Sequence, residues 1–132
     1  MDNLKPLTVA IADDHTLFRK GVIAILGGYK EVTVLADAGN GADLLEKIED
    51  KLPDVVILDL EMPEMDGVVT ARYLTTKYPK VKVLILSSEG EESLVDKLMG
   101  DGVQGCLLKS AEPEELRTAL QHLLAGHTYP AK

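Results

Sequence analysis

The feature that most constrains this chain is a fivefold alternation of short apolar runs with amphipathic stretches. The runs are LTVAIA at 7–12, VTVLA at 32–36, VVILDL at 55–60, VKVLIL at 81–86 and VQGCLL at 103–108. The second and fourth alternate in part, and the others are nearly continuous, which is the pattern of strands covered on both faces in a parallel sheet. Helices have to supply that cover. Segments 15–26, 41–51, 67–77, 91–99 and 113–125 can do so, and in the last of these Leu116, Ala119, Leu120, Leu123 and Leu124 fall at helical spacing. The punctuation agrees: Gly27-Gly28 stops the first helix, Pro53 precedes the third strand, Pro79 ends the third helix and Glu112-Pro113 opens the last.

Five such units joined by short connections predict an α/β fold, (βα)5, with a doubly wound, five-stranded parallel sheet. The flavodoxin-like strand order 2-1-3-4-5 is the common solution at this length. That order sets strands one and three side by side at the switch point, where such sheets bind ligands beyond the carboxyl ends of their strands. The 132 residues suffice for one domain with its own core. We expect that domain over residues 1–126, with 127–132 as the beginning of a linker.

Composition narrows the function. A net charge of -8 argues against broad electrostatic binding of nucleic acid or an anionic membrane, because phosphate contacts need clustered Lys and Arg. The single cysteine, Cys106, excludes an internal disulfide framework, and no signal-like or membrane-length apolar run occurs. A cytoplasmic setting is the expectation.

The polar residues gather at strand ends. Asp13 and Asp14 follow the first run, Asp59 ends the third, Ser87 follows the fourth and Lys109 follows the fifth. Three carboxylates at one edge of a sheet repel one another and raise each other's pKa unless a cation joins them, and a hard divalent ion suits an all-oxygen site. Mg2+ is the first candidate. With a lysine and a hydroxyl nearby this is a phosphoryl-transfer arrangement, in which Asp59 attacks in line and becomes an aspartyl phosphate. Each acid alone could as well cap a helix or end a strand; the joint placement favours chemistry.

ADDH at 12–15, LDLEMPEMDG at 58–67, LSS at 86–88 and LLKS at 107–110 resemble a response-regulator receiver domain of two-component signalling. The ADDHTLFRKG opening and the LKS ending look most like receivers attached to LuxR-type helix-turn-helix transcriptional regulators. The resemblance implies Asp59 as phosphoacceptor, Asp13 and Asp14 as the acidic pair, and the Glu61 backbone carbonyl as a further ligand of Mg2+. Asp14 would ligate the metal directly and Asp13 through a water. Ser87 matches the switch hydroxyl and Lys109 the partner of a phosphoryl oxygen. By the same resemblance the chain is no enzyme on other substrates and catalyses only its own phosphorylation and dephosphorylation. Its donor would be a sensor histidine kinase or a histidine phosphotransfer protein. A homodimer is allowed for, and DNA would be reached only through a C-terminal output domain absent from this sequence.

Two positions depart from the pattern. Cys106 stands where many receivers carry Tyr or Phe, and Ser110 where many carry Pro, so the usual aromatic relay from the switch hydroxyl is in doubt. Cys106 itself reads as a small buried hydrophobe in preference to a redox sensor. Glu61 and Glu89, two residues beyond Asp59 and Ser87, either tune phosphoryl lifetime or are solvated loop acids. His15 reads as a residue that caps or lines the first helix, Gly39-Asn40-Gly41 as a turn, and Glu64 and Asp66 as solvated loop acids positioned by Pro63 and Gly67. Two rival readings are a phosphatase that passes through an aspartyl phosphate and an interaction module independent of phosphorylation.

Overall fold

In the parallel sheet each strand's side chains alternate between two apolar layers, which is why the runs are continuous and not alternating. The computed structural model describes residues 6–62 and 66–130. Its elements are β1 Leu7–Ala12, α1 Thr16–Gly27, β2 Val32–Ala38, α2 Gly41–Ile48, β3 Val55–Asp59, α3 Gly67–Lys77, β4 Lys82–Ser87, α4 Glu92–Gly100, β5 Gly105–Leu108 and α5 Pro113–Leu124. All neighbouring strands are parallel, in the expected order β2-β1-β3-β4-β5. Ala10, Ala12, Val56, Leu58, Val83 and Ile85 pack with α2, α3 and α4 on one face. Val9, Ile11, Val55, Ile57, Leu84 and Leu86 pack with α1 and α5 on the other.

The element boundaries move where pairing overrides composition. β2 runs on to Ala38, because Ala38 pairs with Ala12 of β1. Ser87 belongs to β4 and pairs with Leu108, so it does not follow the strand as expected. β5 begins only at Gly105, since the side-chain carbonyl of Gln104 accepts the Val83 N–H at 2.8 Å where a backbone partner would otherwise stand. Asn40 caps α2 by accepting the Asp43 N–H at 2.8 Å, so the Gly39-Asn40-Gly41 turn is a helix start.

Asp66 is exposed, as expected of a solvated acid, and has a further role: it is the N-cap of α3, accepting the Val69 N–H at 3.0 Å, because a helix start leaves orphan donors that a short carboxylate can satisfy. Pro63 and Glu64, also assigned to this loop, lie outside the described residues. Residues 127–130 turn back on the sheet. Tyr129 forms a parallel bridge with Gly105, donating to the Gln104 carbonyl at 3.0 Å while its own carbonyl accepts the Cys106 N–H at 2.8 Å. Its ring lies edge-on to His122 and its hydroxyl donates to Glu115.

Gly67, at the first position of α3, lies so close to β3 that an added Cβ would overlap the Asp59 carbonyl oxygen and crowd Leu60 Cα. Gly67→Ala should therefore lower the unfolding free energy by about 1–3 kcal/mol. Gly21→Ala in α1, where an added Cβ meets nothing within 4 Å, should raise it by about 0.5–1 kcal/mol. Urea midpoints of the two variants should move in opposite directions; an unmoved midpoint for Gly67→Ala would contradict the close approach.

Candidate functional site

The carboxyl ends of β1, β3, β4 and β5 carry the polar residues, and the sheet's own hydrogen bonding holds their backbones beyond the last strand residues. Asp13 N donates to the Ala38 carbonyl at 3.0 Å, and Lys109 N to the Ser87 carbonyl at 2.8 Å. Asp13, Asp59 and Ser87 are buried polar residues, and Asp14 is exposed.

Lys109 Nζ sits 3.2 Å from Asp59 Oδ1 and 3.4 Å from Asp13 Oδ2. It also lies 4.9 Å from the centre of the Phe18 ring, a cation–π contact. Asp59 Oδ1 accepts the Glu61 N–H at 3.4 Å, a long bond. Asp13 Oδ2 and Asp59 Oδ2 are buried and, among the described residues, have no hydrogen-bond partner. A buried carboxylate oxygen left unpaired is costly, and one ammonium does not neutralise three carboxylates. Asp13, Asp14, His15 and Asp59 can each bring a ligand atom within 4.8 Å of the others. The orphaned oxygens and the oxygen-rich donor set fit a hard divalent cation.

The same crowding acts on Asp59. Burial, and then the charge of Asp13, push its carboxyl up to about 6 against the opposing pull of Lys109. An open cleft of about 560 Å³ lies alongside, lined by Asp14, His15, Leu60, Glu61, Met62 and Asp66. A nucleophilic carboxylate beside an ammonium, at the mouth of a cleft, can accept an electrophilic phosphorus.

The expected residues are not equally close. Asp13, Asp14, Asp59 and Lys109 come together, but Ser87 Oγ lies 4.0 Å from Cys106 Sγ and, among the described residues, makes no hydrogen bond to Asp59 or Lys109. Glu61 and Glu89 are exposed. Cys106 is half-buried, where full burial was expected. It borders a cavity of about 290 Å³ between β5 and α4, lined with Ser87, Val95, Met99, Leu108 and Pro130, because a thiol fills little of the space there. Burial raises its pKa and leaves it a weak nucleophile.

His15 was read only as a residue at the start of the first helix. It does hold the N-cap position of α1, without a side-chain cap, but its ring turns into the site. Nδ1 is 3.0 Å from Lys109 Nζ, 3.2 Å from Asp13 Oδ1 and 3.7 Å from Asp59 Oδ2. Arg19 was missed altogether: its guanidinium donates to the Asp13 carbonyl at 2.6 Å. The available signal was the spacing 15, 18, 19, which sets His15, Phe18 and Arg19 on one side of the first turns of a helix beginning beside Asp13-Asp14.

The family model for the response regulator receiver domain matches residues 9–121. This chain belongs to the response regulator receiver family. The receiver is 39% identical over 127 residues to the transcriptional regulatory protein DegU of Brevibacillus brevis, covering 96% of this chain and 54% of that one. It is 36% identical over 126 residues to the nitrate/nitrite response regulator protein NarL of Escherichia coli K12, covering 96% and 58%. The chain thus spans a little over half the length of these curated relatives. The NarL signal receiver domain from Mycobacterium tuberculosis superposes with a TM-score of 0.86 at 35% identity, covering 93% of this chain and 99% of that one. A LuxR-family response regulator from Aurantimonas shares the fold, with a TM-score of 0.87 at 24% identity over 94% and 89% of the two chains. Acidic clusters such as Asp13, Asp14 and Asp59 in this family typically bind Mg2+. Among the described residues no helix is long and apolar enough to cross a membrane.

The raised Asp59 pKa has a defined sign. From the ordinary value of 3.8 up to about 6 the folded state holds the extra proton, so stability falls as pH rises through that window and stays lower above it. Asp59→Asn should stabilise the metal-free protein by about 1–3 kcal/mol above about pH 7. Below about pH 4 the gain should disappear. Urea unfolding in chelator across this range measures it, and a gain independent of pH would contradict the assignment.

Proposed function

We propose that this receiver is a signalling switch that accepts a phosphoryl group on Asp59 from a phosphohistidine, with Mg2+ at the acidic pair. The observation that carries the reading is that Asp59 Oδ2 and Asp13 Oδ2 are both buried without a hydrogen-bond partner among the described residues, with Lys109 ion-paired between the two carboxylates at the edge of an open cleft. Asp13, Asp14, Asp59 and the Glu61 backbone carbonyl would hold the ion. The chemistry a bound Mg2+ supplies is neutralisation of the carboxylates and withdrawal of charge from the phosphoryl oxygens.

An Asp59 carboxylate oxygen attacks the phosphorus as the bond to the donor's imidazole nitrogen breaks. The leaving nitrogen keeps the electron pair and takes a proton from solvent. Lys109 stays paired with a phosphoryl oxygen throughout, and the Ser87 hydroxyl moves to donate to another. In the reverse sense water attacks the phosphorus, releasing inorganic phosphate and restoring the carboxylate. Glu61 and Glu89, at the margins of the site, tune that hydrolysis. The added charge and bulk at Asp59 draw Ser87 away from Cys106, and a two-state surface around β4, α4 and β5 carries the result. With Cys106 in place of an aromatic ring, the coupling runs through a small thiol contact.

The partners that fit are a sensor histidine kinase or histidine phosphotransfer protein, a second copy of the chain, and a DNA-binding output domain joined through residues 127–132. The name of the DegU relative, a transcriptional regulatory protein, supports that last step, and a cytoplasmic setting suits the lone free thiol.

Intact mass after incubation with acetyl phosphate and Mg2+ tests the chemistry. The expected outcome is a gain of one phosphoryl group that Asp59→Asn abolishes, with Lys109→Ala slowing it about a hundredfold. Continuous turnover of a phosphomonoester would instead support the phosphatase reading, and no gain at Asp59 would sink the switch. Partner binding and dimerisation unchanged by Asp59→Asn would favour an interaction module independent of phosphorylation.

A further inference from the structure

Arg19 lies one helical turn into α1, largely withdrawn from solvent, and divides its guanidinium between two acceptors. Nε donates to Asp37 Oδ2 at 2.9 Å, and Nη1 donates to the Asp13 backbone carbonyl at 2.6 Å. Asp37 is itself fixed near the carboxyl end of β2, where its own carbonyl accepts from Lys47 Nζ of α2 at 2.7 Å. The chain Lys47, Asp37, Arg19, Asp13 thus ties α2, β2 and α1 to the residue that opens the acidic pair.

The acceptor on Asp13 matters most. That carbonyl belongs to the peptide unit joining Asp13 to Asp14, so its direction sets the plane from which the Asp14 carboxylate departs. Asp13 is held at its other groups too: its N–H donates to the Ala38 carbonyl at 3.0 Å, and Asp13 Oδ1 accepts the His15 N–H at 2.8 Å. Without Arg19 the peptide plane would keep its hold on the Asp13 side and lose it on the Asp14 side.

We infer that Arg19 is a positioning residue for the acidic pair: it fixes the Asp13–Asp14 peptide so that both carboxylates present their oxygens together to a divalent cation. This rests on the Mg2+ reading given under Proposed function. The task requires a planar fork with donors in two directions, which a lysine lacks. Arg117, which pairs with Glu31 at 3.0 Å toward the amino end of β2, is a partly buried, ion-paired arginine at the other end of the sheet and serves as the control.

Isothermal titration of the unphosphorylated chain with Mg2+, alongside urea unfolding, separates positioning from simple bracing. Arg19→Met should weaken Mg2+ binding by about 10- to 100-fold, the usual effect of removing a group that orients a ligand. Arg19→Lys should restore stability without restoring affinity, and Arg117→Met should lower stability while leaving affinity within about twofold. If Arg19→Met does not fold, Arg19→Lys alone decides: wild-type affinity in that variant overturns the inference. So does an Arg19→Met protein that loses stability and keeps its Mg2+ affinity. Failure of the unaltered chain to bind Mg2+ at all overturns the cofactor reading and this inference with it, a result distinguishable because it appears before any substitution.

Discussion

A single ammonium holds together the carboxyl ends of three strands. Lys109, carried just past β5, lies between Asp59 at the end of β3 and Asp13 just past β1, in a sheet where β4 separates β3 from β5. Like charges buried side by side would push those ends apart, and one cation bridging them keeps the arrangement compact at a cost in unpaired oxygens. The two apolar layers make that cost bearable. Alternating side chains of the central strands fill both faces of the sheet, so the strand ends have little freedom to relax the strain among their charges.

The site is therefore poised and not settled. Asp59 is pushed up to about 6, two buried carboxylate oxygens have no hydrogen bond among the described residues, and His15 leans in from α1 to within hydrogen-bonding distance of Lys109. Under the proposed function, such unfavourable interactions would be relieved when a cation or a phosphoryl group binds, so that ligand affinity is gained at the expense of intrinsic stability. Arg19 and its supports act on a different quantity, direction, by holding a peptide plane and not by adding charge to the cluster.

Much of this was legible in the residues. The continuous runs required cover on both faces, and the strand order followed from five short-connected units; Asp13, Asp14, Asp59 and Lys109 could be placed by counting to the ends of the runs. What escaped depended on three-dimensional completion of local features. Gln104 shortens β5 because its side chain substitutes for a backbone acceptor, which no hydrophobic pattern encodes. Asp66 became a cap because α3 begins immediately after it. His15 and Arg19 were hidden because their importance lies in which way the first turns of α1 face, and a helical wheel needs a fixed neighbour before it can be oriented. Cys106 is only half-buried because its surroundings leave a cavity, a property of neighbours and not of the residue.

The two hydrogen bonds that Tyr129 makes, to Gln104 just before β5 and to Cys106 within it, run beside a strand that is parallel to it. A pull on the chain at Pro130 directed along that strand loads both bonds together, in shear, where they resist jointly; a pull away from the sheet would peel them one at a time. Cys106 supplies one of these bonds through its N–H and touches Ser87 through its sulfur. Mechanical load on the tail and a displacement of the Ser87 hydroxyl thus meet on one residue.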